Sequence, residues 1–566
     1  NYNSGLGYDA LTSNTTGDTN VAVGYQALNA NTTGSSNNAL GVTALQVNTT
    51  GSNNTALGHG ALQQNTTADN NVAVGKLALG ANTTGTGNVA VGSLTLDANT
   101  TGASNVAVGN SALGSNTTGG SNTALGQGAC SDNTTGGNNT GIGTNALALN
   151  TTGNQNTAVG SGCMDANTTG GNNTAMGVAT MGANTTGGNN VAYGYTAMFV
   201  NTSGSNNTAL GYSSLSSNTT ADDNTAVGNS ALGNNTTGDT NTAVGRNCML
   251  SNTEGLQNTA VGGYALDANT TGDFNIAIGL NALGGNTTAD ANTAVGNQAM
   301  LANTTGQANT AVGAYALDAN TTGDYNVAVG YGSLTAVSAN DNTAVGYDSL
   351  GNCSSGYSNV AVGHGALNDL TTTFANVAVG KDALGAVTTG QANTGIGFQA
   401  GKDITTGQDN LMLGLDAGTS ISPSGSITTG NRVICLGDNN MLSAFIKISF
   451  TVTSDKRDKA DITDFTHGLS WINKLRPVTY RWDMRSNYDD GISDGSKKEE
   501  KLNIGLIAQE ELEIEREHGF ANDKNDMIIT TENDDGNYGM QYDRLVPILV
   551  NAIKELSTRV TALEAG

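Results

Sequence analysis

Apolar residues over the first three quarters of the chain fall in a fixed rhythm. A short apolar run closed by glycine, most often TAVG or VAVG, ends at Gly7, Gly24, Gly41 and Gly58 and returns every 17 residues as far as Gly330. One step of 16 leads to Gly346, steps of 17 resume to Gly414, and a step of 23 containing Pro423 ends at Gly437. The consensus is N-[TV]-A-[VLI]-G-x-x-A-L-x-x-N-T-T-G-x-x. Asn stands four residues before the glycine in all 25 copies from Gly7 to Gly414, starting with Asn3 and Asn20 and ending with Asn410. The run is short, rich in β-branched residues and bounded by Asn and Gly, which predicts a strand.

A 17-residue unit is too short for a domain and too rich in glycine for a helix pair. Strands that cannot each bury a face must stack, one coil per repeat, so the expected fold is mainly β: a parallel β-solenoid or β-roll over residues 1–437. At ~4.8 Å per coil, such a stack runs to about 120 Å. The Asn column predicts an amide ladder between coils, and the glycine of NTTG a turn with positive φ. Alternation along the strand places Thr/Val and Val/Leu/Ile on one face and Ala and Gly on the other. The larger side chains are expected to fill the coil, leaving the Ala–Gly face for close side-by-side approach of identical chains.

Composition narrows the function classes. The chain has 79 Gly and 3 Pro, and charged residues make up 12% of it, about half the fraction of an ordinary globular domain. Residues 1–453 hold 6 basic and 23 acidic residues, and 454–566 hold 15 and 23, within a net charge of -25. So acidic a chain repels nucleic acid and anionic lipid, and neither is expected as a partner. No apolar run reaches the roughly 18–20 residues that span a bilayer, so no membrane insertion is expected. The chain begins at Asn1 in mid-repeat and without Met, which reads as a fragment or a processed form.

The repeats offer little chemistry, and no cofactor or metal is expected. The five cysteines are an odd number and form no CxxC pair. Cys130, Cys163 and Cys248 replace consensus Leu or Ala and read as buried small hydrophobes. Cys353 replaces the Asn of NTTG and reads as more exposed. His59 and His364 have no ligand partners at useful spacing. Asp97, Asp165, Asp267 and Asp318 recur singly in LDANTTG and read as solvated turn acids, not the carboxylate pair of a glycan-degrading fibre. NTT matches the N-glycosylation acceptor pattern, but acceptors about 5 Å apart cannot all carry glycans, and the motif reads as turn chemistry. Adjacent Thr residues point to opposite sides, so NTT makes no flat threonine grid for ice.

After Gly437 the texture changes. SAFIKISFTVT (443–453) reads as a strand within a 438–453 connection. From Ser454 onward come both tryptophans and most of the basic residues. GLSWINKLRPVTYRW reads as a helix, a proline-marked break and a strand, and NIGLIAQEELEIEREHGF as a strand running into a helix. Val546, Leu549, Ile553, Leu556, Val560 and Leu563 are spaced 3, 4, 3, 4, 3, the seam of a parallel coiled coil. β-branched residues at a with Leu at d lean toward two strands.

Two resemblances follow. The NTAVG and NVAVG repeats resemble the head repeats of trimeric autotransporter adhesins, though they are longer, which implies a trimer. SDKRDKADI, LRPVTYRW, NIGLIAQE and YDRLVPILVNAIKEL resemble, in that order, the C-terminal intramolecular chaperone of phage tail spikes and fibres, and the resemblance covers 454–566. It implies a small α+β chaperone domain, trimeric and ending in a coiled-coil helix. It also implies a single-turnover autoproteolytic serine endopeptidase. The family's SDxRLK motif carries a Ser–Lys dyad and cuts just before its serine. Carried over, the dyad is Ser454 and Lys459, the cleaved bond is Thr453–Ser454, and Asp455 and Arg457 are supporting residues. Asp458 stands where the family usually has Leu, and Thr453 where some members have His.

Elementary chemistry agrees with those residue types. A serine hydroxyl attacks only when a base takes its proton, and lysine is that base only when neutral, through burial or cationic neighbours. Lys456 and Arg457 act in that sense; Asp455 and Asp458 oppose it. The five-residue offset leaves the contact to be made within one chain or between neighbours. The bland reading of the cluster is a solvated turn or a helix N-cap by Ser454. A register problem gives such a domain a purpose. Near-identical coils slip by one repeat at little cost, a folded C-terminal trimer fixes the register, and its removal traps the product kinetically. The expected protein is a homotrimeric viral tail fibre or appendage at the virion surface or outside the cell, binding a host glycan or protein receptor. The alternative is a cellular adhesin or extracellular filament with the same chaperone.

Overall fold

A computed structural model describes residues 2–566 except 442–443, 446, 448–451, 486–487, 489–490 and 534–535. The fold is mainly β. Twenty-six strands of three residues, from β1 (Ser4–Leu6) to β26 (Ile434–Leu436), one in each repeat, form a parallel sheet. The chain divides into two compact units, Asn1–Asn326 and Val327–Gly566.

The first unit holds β1 to β19 (Thr310–Val312). The coil that starts at β10 (Thr157–Val159) shows how the consensus closes on itself. β10 pairs in register with β11 (Thr174–Met176), Ala158 opposite Ala175. Outside the strand the backbone goes on bonding from coil to coil: Met164 N donates to Thr180 O at 3.0 Å, and Thr168 N to Thr185 O at 2.9 Å. Backbone groups of the turns are thereby satisfied without a second strand, as a buried backbone requires. Gly160, which ends the run, sits at φ 139°, where an added Cβ would lie 2.1 Å from Gly177 O. Met164 (φ 52°) and Asn172 (φ 61°) also take the left-handed conformation. This costs each non-glycine residue of order 1 kcal/mol, offset by the stacking around it.

The strand faces are the reverse of the sequence expectation. The central Ala is the buried residue (Ala158 and Ala175 are both 0% exposed), while Thr157 and Val159 face outward and are only half-buried. The lumen is already filled from the turns, by Met164, Cys163, Asn167 and Asn173, all 0% exposed. Beneath the strand there is room for a methyl group and little more. At Gly141, a glycine in the Ala position, a Cβ would stand 2.6 Å from Cys130 Sγ. The Ala of this face is therefore interior and not available to a neighbouring chain, while the closing glycine, as at Gly160, is half-buried.

Both Asn positions of the repeat are buried, and they bond differently. The Asn before the strand accepts and donates to backbone: Asn37 N donates to Asn20 Oδ1 at 3.0 Å, and Asn37 Nδ2 to Gly51 O at 2.8 Å. Side chains of this column also bond to one another in some coils, as Asn54 Nδ2 does to Asn37 Oδ1 at 3.1 Å, but the column that bonds side chain to side chain without a gap is the other one, the Asn of NTT. Asn167 Nδ2 donates to Asn150 Oδ1 at 2.8 Å and to Gly170 O at 3.0 Å. That ladder is unbroken from Asn14 to Asn320. From Asn31 to Asn320 both amide hydrogens are engaged and the side chain is buried, so these asparagines are not glycan acceptors in the folded coil.

The second unit begins at β20 (Val327–Val329) and carries the strands up to β26. Here the NTT position turns apolar: Val337, Cys353, Leu370, Val387, Ile404 and Ile427 occupy it, all buried. The exposed position expected for Cys353 is thus corrected. It is 0% exposed, and burial pushes its thiol up to about 11. Burial likewise raises Cys130, Cys163 and Cys248 to about 12. The coil between Gly330 and Gly346 is one residue short, and β20 pairs with β21 (Thr343–Val345) at an offset of 16.

Most of the strand expected at 443–453 lies outside the described residues. Beyond it come α1 (Leu469–Ile472), β27 (Val478–Tyr480) antiparallel to β28 (Asn503–Gly505), α2 (Ala508–Glu517), β29 (Thr530–Glu532) antiparallel to β30 (Tyr538–Met540), and α3 (Leu545–Ala565). Trp471, Ile514, Ile529, Leu545 and Ile548 form their core, with Phe465, Leu475, Leu506 and Phe520 packed against it. Asn551 Nδ2 donates to Phe465 O at 2.6 Å, and Glu555 Oε2 accepts from Leu469 N at 3.1 Å, fastening α3 to the start of this region. The heptad residues of α3 stay outside: Val546, Ile553 and Leu563 are 56%, 65% and 82% exposed. Among the described residues no helix is long and apolar enough to cross a membrane.

Candidate functional site

The charged stretch after Val452 folds locally. Lys456–Asp458 make one 3-10 turn, capped by Asp455, whose Oδ1 accepts from Arg457 N at 2.9 Å. The cap is thus Asp455 and not Ser454. Arg457 closes a fork on the same carboxylate, Nε at 3.1 Å and Nη2 at 2.5 Å. That pairing holds Asp455 below the usual carboxylate range and keeps Arg457 charged. The turn brings the chain back, so that Lys459 Nζ lies 2.6 Å from Ser454 Oγ.

Four of the residues singled out by sequence therefore converge in one chain. Ser454 and Lys459 touch, and Asp455 and Arg457 hold the turn between them. Thr453, on the other side of the expected cleavage, directly precedes Ser454. Every residue from Val452 to Asp464 is exposed, Asp458 included. In a polar, open turn an aspartate where an apolar residue is usual meets no packing penalty.

A second cluster was not found from sequence. Glu511 and Glu515 are 1% and 0% exposed. Glu515 is fully engaged: Oε1 accepts from Ile529 N and Thr530 N, both at 2.7 Å, and Oε2 from Thr530 Oγ1 at 3.1 Å. Glu511 Oε1 accepts from Trp471 Nε1 at 2.7 Å, while Oε2 has no hydrogen-bond partner among the described residues. Burial, with the Glu515 charge adding to it, pushes the Glu511 carboxyl up to about 7. These acids read as surface because the segment is crowded with charge. The signal was their phase: Glu511 and Glu515 share a helix face with Ile514.

The solenoid's own candidates stay apart. Asp97, Asp165, Asp267 and Asp318 are half-buried, not freely solvated, and desolvation raises each one. They sit several coils from one another and form no carboxylate pair. His364 is not isolated: it stacks on Tyr347 at 5.2 Å and lies 3.8 Å from Asp382. Among the described residues no three His, Cys, Asp or Glu side chains converge as metal ligands.

Residues 454–520 match the family described as the chaperone of endosialidase (Peptidase S74). The match opens on Ser454 and takes in Lys459, Trp471, Glu511 and Glu515; the solenoid and α3 lie outside it. No curated protein and no solved structure matches the chain. A chaperone-of-endosialidase segment behind a long parallel β-solenoid fits a tail-fibre-like protein with a C-terminal chaperone.

Proposed function

We propose that the chain is one subunit of a homotrimeric, tail-fibre-like appendage on a virion surface. Its solenoid (1–437) serves attachment to a host glycan or protein receptor. Its C-terminal domain (454–566), joined through 438–453, is an intramolecular chaperone that sets the register of three chains and then cuts itself off before Ser454. The observation that carries the reading is the 2.6 Å contact between Lys459 Nζ and Ser454 Oγ, in a segment that the chaperone family matches from its first residue.

The chemistry balances within one chain. Ser454 Oγ attacks the carbonyl carbon of Thr453, its proton passing to neutral Lys459 Nζ. The Thr453–Ser454 C–N bond breaks, the proton returns to the Ser454 nitrogen, and the acyl group rests on Oγ as an ester. Water hydrolyses the ester, leaving a Thr453 carboxylate and a free Ser454 amine and hydroxyl. Lysine fills this role only where water is excluded, and in a single chain the pair lies open. Assembly is what covers it, so cleavage follows trimer formation. The exposed 3-4 stripe of α3, which a parallel bundle of like helices would bury, supports self-association, while its β-branched a positions lean toward two strands and the count of three rests on the chaperone family.

The test is a denaturing gel of purified wild type and Ser454→Ala. Wild type is expected to resolve into 453- and 113-residue products. Ser454→Ala and Lys459→Met stay whole yet keep the trimer mass in light scattering. Wild type that forms trimers and remains uncut on prolonged incubation overturns the autoproteolysis and leaves the chaperone role standing.

A further inference from the structure

The repeat acts as an alignment within one chain. Where coils are stacked, a position free to face water accepts any residue that suits water. The residue after the strand-closing glycine behaves so: it is Tyr25, His59, Lys76, Ser93, Asn110 and Arg246 in different coils. The third strand residue does not. From β1 to β19 it is Val, Leu, Ile, Met or Tyr without exception, and in none of those coils is it buried. Leu40, Val108, Val261 and Val312 are 48%, 37%, 38% and 38% exposed. An outward position that stays apolar through nineteen copies is one that something covers.

Its extent and period say what. Nineteen such side chains expose on the order of 1,000 Å² of apolar surface, beyond the few hundred typical of a monomer. That is also about what one partner contributes to a stable interface. The column repeats once per coil, so a matching surface must carry the same spacing over the same length, and a second copy of this chain does. Charge selects the same face. The unit Asn1–Asn326 has 15 acidic residues against Lys76 and Arg246, yet none of its strand residues is charged. Two copies of so acidic a surface approach best where the acids are missing.

We propose that the outward Thr/Val and Val/Leu/Ile face of β1–β19, not the Ala face, is where copies of this chain pack against one another in the homotrimer. This rests on the trimer reading and assigns its surface.

The test uses the full chain with one new cysteine and a short bis-maleimide; the five native thiols are buried. Met176→Cys, on the strand face, is expected to give covalent dimers and trimers on a denaturing gel in most of the protein. Val178→Cys, two residues on in the variable column, and the parent chain are expected to give few or none. A trimer by light scattering in which Met176→Cys stays uncoupled, or in which Val178→Cys couples equally, overturns the assignment. A monomeric mass for the parent chain overturns the trimer reading itself, whatever the cross-linking shows.

Discussion

Replacing one rung of the amide ladder tests whether buried asparagines bind coil to coil. In Asn167→Leu the group lost donates to Asn150 Oδ1 and Gly170 O, and accepts from Asn184 Nδ2 at 2.8 Å. Gly170 O keeps a second donor, Asn156 Nδ2 at 2.8 Å, and Asn184 Nδ2 keeps Gly187 O. The damage is therefore one buried acceptor left empty and one donor left half-used. At ~1–3 kcal/mol for each unsatisfied group, the sum is about 2–4 kcal/mol. Leucine itself fits, since Leu370 fills the equivalent place at 0% exposure. The cost lies at the two ends of the break, so Asn167→Leu with Asn184→Leu should cost about as much as Asn167→Leu alone. Hydrogen exchange read by mass spectrometry over residues 150–190 is the assay. Protection there should fall about 30- to 1,000-fold, at 1.4 kcal/mol per tenfold, in the single and the double variant alike. Losses that add, with the double variant twice as destabilised as the single, would refute the ladder as the source of cohesion.

Two glycines of one coil should respond unequally. Gly160→Ala drives a methyl group against Gly177 O and is expected to abolish exchange protection of its coil; Gly162→Ala, where the nearest atom is 3.9 Å from the new Cβ, should cost only about 1 kcal/mol for its left-handed backbone. In the C-terminal domain, burial pushes the Glu511 carboxyl up to about 7, against 4.5 for a freely solvated glutamate, so the folded state holds the extra proton between those pH values. Stability is then highest at and below pH 4.5, falls as pH rises through 7, and the loss by pH 8 is about 3 kcal/mol at most. Urea unfolding followed by the fluorescence of buried Trp471 should show this slope, and Glu511→Gln should flatten it; an unchanged slope in Glu511→Gln assigns it to another group.

What could be read from the sequence was whatever the repeat states many times over. The 17-residue step, the strand in each repeat, the glycine that ends it and the structural use of Asn are properties of spacing and backbone conformation, and one chain supplies enough copies to see them. Two readings were not among them: the strand's inward face, and the place of the positive φ, which falls on the strand-closing glycine (Gly160, φ 139°) and not on the glycine of NTTG. Alternation marks two faces without saying which is inside, and here lumen width decided: Met164 and Asn167 from the turns leave space for Ala158 alone. Cys353 was misplaced by the same step, because the Asn it replaces looked like an exposed sequon and is a buried rung. Around Ser454 the residue types were legible, whereas the capping role of Asp455 depends on the direction of a single turn. Glu511 escaped because two glutamates in a charged helix carry no mark of burial until the neighbouring strand and Trp471 are in place.

The sixteen-residue coil between Gly330 and Gly346 acts like a notch cut in a ruler. Along a perfectly uniform scale every offset by one division looks the same, and parallel copies have no way to tell true alignment from a slip. With one short division, only zero offset brings notch to notch; any other sets a sixteen-residue coil beside a seventeen-residue one on both sides of the slip. The chain thus keeps an index of its own position, one that the proposed removal of the C-terminal domain would leave in place.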